Sequence, residues 1–325
     1  MSELVKQIER WLVANEEVMS ASCSLRDGLA GMILVYFKLH VITHDPRYKA
    51  SGLMMLDQLS EQVAAVERAD FRDGMAGIGW LIEWLAQNKH IEADTNELLA
   101  DMDDELYKSV LYNVHPSNAS IGQFTGRGLY FYRRLLSKNK NSSRYRMLCL
   151  RECLTLMTDG ICDQLPILVK KMISCAHPHR MDEAESVSMG LIFLSLTKNS
   201  KLNANECKNI ICETLNELSK YLLSKPVENC CSSADLVLIR AYYRSGILLN
   251  DARTITRARD MANMLQDLNR PLTERLMLAE LRPETDAFKA NDMEASVRWT
   301  LPDVLNILRN TYKKQSLPTD EEIFI

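Results

Sequence analysis

"FRDGMAGIGWLIEWL", residues 71–85, opens on a turn and continues past Gly74 as a helix whose only charge is Glu83. The same opening stands forty-six residues earlier as "LRDGLAGMILVYFKL", residues 25–39, with Arg, Asp, Gly, Ala and Gly in register. A helix apolar on all its faces is buried on all of them. Glycine inside a helix costs roughly 0.5–1 kcal/mol relative to alanine. Glycines repeated at the same end of two buried helices therefore mark places where another backbone comes close.

A third copy follows as "QFTGRGLYFYRRLL", residues 123–136, with Gly126 and Gly128 in register with Gly77 and Gly79. Seven of the twelve glycines fall in these three starts, among them Gly28, Gly31 and Gly74, so the repeat is not accidental. The pattern then fades. "SVSMGLIFLSL" (186–196) keeps Gly190, "NCCSSADLVLIRAYY" (229–243) keeps only the apolar run, and "SVRWTLPDVLNILRN" (296–310) keeps the outline.

Between the buried helices lie amphipathic ones. In residues 53–66 an apolar stripe is expected from Leu53, Leu56, Leu59, Val63 and Val66. In residues 96–114 it runs through Leu98, Met102, Leu106 and Val110, and the acids of "ADMDDELY" are expected on the wet face. Asp27 and Asp73 are placed to cap the helices that follow them. Buried helices alternating with amphipathic ones, and crowded at one common end, predict a closed ring of helical hairpins. An open solenoid with a similar repeat length is the alternative.

Composition narrows the partners. The formal net charge is −4 and the pI near 5.9, which gives no electrostatic case for nucleic acid or an anionic membrane. No apolar run is long enough to span a bilayer, and the N-terminus does not read as a secretion signal, so membrane insertion is not expected. Nine cysteines without framework spacing fit reduced thiols in a cytoplasm.

"SLRDGLAGMILVYF" and "FRDGMAGIGWLIEWL" resemble the repeats of the lanthionine synthetase C-like family. The resemblance is best over residues 20–244 and implies one all-α domain over 1–325. Its fold would be an α/α toroid of inner and outer helices, shortened to about six hairpins. Cyclases of the family add a peptide cysteine to a dehydrated Ser or Thr, with zinc holding the attacking thiolate. The resemblance places Cys230 at the first zinc position, with Asn229, Ser232 and Asp235 where the family has Trp and glycines. Ser186 stands where a proposed acid/base histidine is found. No cysteine or histidine follows Cys231, so the family's Cys-His ligand pair has no counterpart.

The resemblance thus implies a degenerate member that uses no zinc and binds a precursor peptide or a peptide-maturation enzyme. Three alternatives stay open. Cys175, His177 and His179 in "SCAHPHR", joined by Cys230 or Cys231, would rebuild a zinc site in an active cyclase; the bland reading is a polar loop and a buried cysteine pair. Asp27 and Asp73 facing one cavity would suit a glycoside hydrolase, although capping alone explains them. A helical-repeat interaction protein needs no site at all. Arg26 and Arg72 would line an anion-binding mouth or pair with nearby carboxylates. Trp80, Trp84 and the aromatics of "LYFYRRL" read as core.

Overall fold

The computed structural model of the chain describes residues 3–113, 120–139, 143–174, 181–198, 204–224, 232–264, 272–282 and 300–311. Among these residues the regular structure is helical, with no strand. The early helices are α1 (Glu3–Met19), α2 (Leu29–Thr43), α3 (Pro46–Gln62), α4 (Met75–Gln87), α5 (Thr95–Leu98), α6 (Ala100–Asn113) and α7 (Ile121–Leu135). They are followed by α8 (Arg144–Ser174), α9 (Met181–Thr197), α10 (Ala204–Ser224), α11 (Ser233–Leu249), α12 (Ala252–Asn263), α13 (Leu272–Leu281) and α14 (Leu301–Thr311).

The helices form a toroid. α2, α4, α7, α9, α11, α13 and α14 each touch the next, and α14 returns to touch α2. Among the described residues that makes seven inner helices. The helices α3, α6, α8, α10 and α12 pack outside α2, α4, α7, α9 and α11. Closure is direct: the δ-carbons of Leu301 on α14 lie at 2.7 and 2.8 Å from where a Cβ on Gly31 would stand. An open solenoid has no such contact between first and last repeats.

The glycines have one role in the first two repeats. The loop before each helix folds back over its first turn, so the carbonyl of Ser22 covers Gly28 and that of Leu25 covers Gly31. Arg68 covers Gly74 and Phe71 covers Gly77 in the same six-residue relation. None of these glycines has positive φ, so the requirement is space and not an unusual backbone conformation.

The same loops correct the capping expectation. The N-caps of α2 and α4 are Gly28 and Gly74, with no side-chain cap. Loop carbonyls take the first amides instead: Leu29 N–H donates to Ser22 at 2.8 Å and Met75 N–H to Arg68 at 2.8 Å. Neither Asp27 nor Asp73 therefore caps the helix that follows it. The two loops are also joined, since the amides of Leu25 and Arg26 both donate to the Arg72 carbonyl at 2.9 and 3.2 Å.

The third repeat differs. α7 starts at Ile121 behind a capping box formed by Ser120 and Gln123, so Gly126 and Gly128 lie inside the helix and not at its start. They still mark close approaches, to Phe71 Cβ at 2.8 Å for Gly126 and to the ring of Phe193 for Gly128. Gly79 meets the Tyr130 ring and the Met102 sulfur in the same way.

Two helical faces are also corrected. On α3 the buried face is Tyr48, Gly52, Met55 and Leu59, while Leu53 is exposed; Gly52 admits the Phe37 ring. On α6 the acid Asp103 is buried and Leu98 on α5 is exposed. Asp103 turns inward because Arg134 meets it with two hydrogen bonds of 3.0 and 2.7 Å, and Tyr130 O–H donates to it at 2.6 Å. Arg134 also donates to Glu83 at 2.7 Å, which explains the one charge in an otherwise apolar helix. All three ionised side chains are buried, so the network joins α4, α6 and α7 where water does not screen it. Trp80, Trp84, Tyr130 and Phe131 lie in the core, as their sequence context suggested.

Candidate functional site

The inner helices enclose a central cavity of about 300 Å³, at the small end of the roughly 300–1,000 Å³ typical of ligand pockets. Leu34 and Lys38 of α2, residues of α9, α11, α13 and α14, and the loop residues Arg26 and Arg72 form its wall. α14 descends beside its neighbours, since Leu301 lies against Gly31 and the Asn306 side chain accepts from Arg240 at 3.1 Å. Arg26 and Arg72, in the loops ahead of α2 and α4, therefore stand at the mouth. Arg309 lies eight residues past Leu301, about 12 Å further along α14 at 1.5 Å per residue.

The wall is cationic. It carries Arg26, Lys38, Arg72, Arg240 and Arg309 against the carboxylates of Glu185 and Asp303. Several of these charges are already engaged. Arg26 sits 3.5 Å from Asp27, and Asp303 accepts from the Thr300 hydroxyl at 2.7 Å. Arg240 pairs with Glu280 at 3.0 Å, and Arg244 touches the same carboxylate. Burial alone would raise the Glu280 pKa, but the two guanidiniums outweigh it and hold the group ionised. Lys38, buried at 2% exposure, lies 5.3 Å from the Trp84 ring.

Arg72 and Arg309 are different. Arg72 has a weak contact with the Met189 sulfur at 4.0 Å, and neither guanidinium has a carboxylate in ion-pair range among the described residues. Both are partly exposed to the cavity. An unpaired guanidinium offers five donors in a planar fork, suited to a carboxylate or phosphate.

A second cavity of about 330 Å³ adjoins the first and shares Arg26, Arg72 and Met189 with it. Asp73 lines this second space, where it accepts from the Ser24 hydroxyl at 2.9 Å. Asp27 lines neither; its side chain is 63% exposed beside Arg26. The two aspartates therefore do not face each other across one cavity, as a glycosidase pair must. Ser186 donates to the Asp182 carbonyl at 2.8 Å and is not part of the wall.

None of the cysteines and histidines proposed for metal, Cys175, His177, His179, Cys230 and Cys231, is among the described residues. Among the described residues no three His, Cys, Asp or Glu side chains converge on a metal position. Lys38, Arg240 and Arg309 had no motif to announce them, but each carried a signal: a lone cation within an apolar helix run, in "MILVYFKL", "LVLIRAYY" and "VLNILRN".

The lanthionine synthetase C-like family model matches residues 20–225, well over half of the chain. No curated protein sequence matches it. No helix among the described residues is long and apolar enough to cross a membrane.

Proposed function

The chain belongs to the lanthionine synthetase C-like family, and we propose that it serves the maturation of ribosomally made peptides as a receptor. In this reading the central cavity holds a segment of a precursor peptide, or of a partner maturation enzyme, and does not close thioether rings by the zinc route. The observation that carries the reading is the chemistry of the cavity wall.

The family's zinc asks for thiolate and imidazole donors. The described wall has neither; its carboxylates are Glu185 and the engaged Asp303, facing five cations. Bringing a dication among those charges is electrostatically unfavourable, and three or four donors are needed to offset it. Past Cys231 the sequence contains no further cysteine or histidine to supply them. The described wall residues do not suit zinc; Cys175, His177, His179, Cys230 and Cys231 lie outside the described residues.

They suit binding. The ring supplies a rigid, closed frame, so little ordering of the protein accompanies capture of a flexible peptide. Leu34, Ile192, Val237 and Leu305 give apolar wall between the charged groups. That mixture takes side chains and fixes their orientation through a few polar contacts.

The test is a cavity-filling variant. Leu305→Trp places an indole in the open space without removing any charge. The reading predicts that a labelled precursor-type peptide, binding the wild-type ring, loses most of its affinity for this variant while the helical spectrum is unchanged. Undiminished binding to a folded Leu305→Trp protein means that the peptide sits elsewhere.

A further inference from the structure

Resting on the receptor reading, we infer that the segment taken by the cavity is acidic, with one carboxylate held by Arg72 at the end where α14 starts and a second by Arg309 at the other end of α14. The two unpaired guanidiniums define this. Every other cation on the wall has a neighbour that absorbs part of its charge: Asp27 for Arg26, Glu280 for Arg240, the Trp84 ring for Lys38. Arg72 and Arg309 have no carboxylate partner among the described residues, yet both point their charge into a confined space. Confinement weakens water's screening there, so each favours an anion more than a surface arginine does.

The spacing sets the form of the ligand. The backbone levels of Leu301 and Arg309 are about 12 Å apart, and an extended peptide rises roughly 3.3 Å per residue. Two acidic side chains four positions apart span that distance and lie on the same face of the strand. The polar Ser188 and Asn306 between them can meet the peptide's own backbone groups. A basic segment would face Arg26, Lys38, Arg72 and Arg309 together and is excluded by like-charge repulsion.

The test is fluorescence anisotropy with three labelled peptides of equal length. One carries two glutamates four residues apart, one has both changed to glutamine, and one has both changed to lysine. The glutamate peptide is expected to bind, and to weaken as salt rises, while the others bind at least roughly tenfold less well. Arg72→Gln and Arg309→Gln should each weaken the glutamate peptide roughly tenfold, and Lys108→Gln on the outer helix α6 should not. Arg309→Glu should improve binding of the lysine peptide, a gain that an unfolded variant would not show. Equal binding of the glutamate and glutamine peptides would overturn the acidic selectivity and leave the receptor reading standing. Citrate binding with no peptide bound would overturn both, leaving a small-anion site.

Discussion

Gly77→Ala tests why the repeat starts carry glycine. On helix propensity alone the change should stabilise α4 by up to about 1 kcal/mol. The structure says otherwise. A Cβ on Gly77 would overlap the Phe71 carbonyl oxygen, with the carbonyl carbon at 2.9 Å and Leu25 Cβ at 3.2 Å. Carbon pairs sit best at roughly 3.5–4.0 Å, and none of these atoms can rotate away. Phe71 cannot retreat either: its ring is buried against Trp80, at 5.8 Å between centroids, and its Cβ faces Gly126. Overpacking a fixed site costs typically 1–3 kcal/mol, and backbone overlap belongs at the upper end. Set against the propensity gain, a net loss of about 2 kcal/mol follows. Gly122→Ala is the control, because its nearest neighbour is the flexible end of Met189 at 3.2 Å. Denaturant unfolding followed by far-UV circular dichroism compares the midpoints at constant slope. A Gly77→Ala protein as stable as wild type, or more so, refutes the close-approach explanation.

Arg134→Met should cost about 3–5 kcal/mol by leaving Glu83 buried without its cation and Asp103 with only the more distant Arg146 at 3.7 Å, as read by the same unfolding assay. A loss under about 1 kcal/mol would mean that water reaches those carboxylates. His90, packed between Phe37 and Trp84, has its pKa pushed down to about 4, first by burial and then by His40, Lys49 and Lys38. The unfolded chain therefore binds the extra proton first, so stability should fall as pH drops from about 6.5 towards 4. His90→Phe should flatten that part of a pH–stability curve. Under native alkylation read by mass spectrometry, exposed Cys212 should react well before buried Cys153, whose thiol burial pushes up to about 12.

Much of the fold was legible because its signals are local. Glycine spacing gave the first three repeats, and apolar runs separated inner from outer helices. A closed ring was expected from the crowded glycine ends, but the contact that closes it was not legible, since Leu301 meets Gly31 across most of the chain. The inward turn of Asp103 was hidden for the same reason: its partner Arg134 is thirty-one residues away, and an acid on an amphipathic helix ordinarily faces water. The capping expectation failed because backbone carbonyls from a folded-back loop reach the first turn before a side chain does. At the site, Arg26 and Arg72 stood out by their repeat position. Arg309 sits in the most eroded repeat, and only its isolation in an apolar run marked it.

The central claim is that the ring holds a peptide without cyclising it. The direct measurement incubates the protein, with zinc supplied, with a peptide bearing a cysteine and a dehydrated serine, then alkylates free thiols and weighs the product. Ring closure itself changes no mass, so only a lost alkylation site reveals it. The account predicts a bound peptide whose thiol remains fully alkylatable. Thiol loss that depends on both protein and zinc would contradict it.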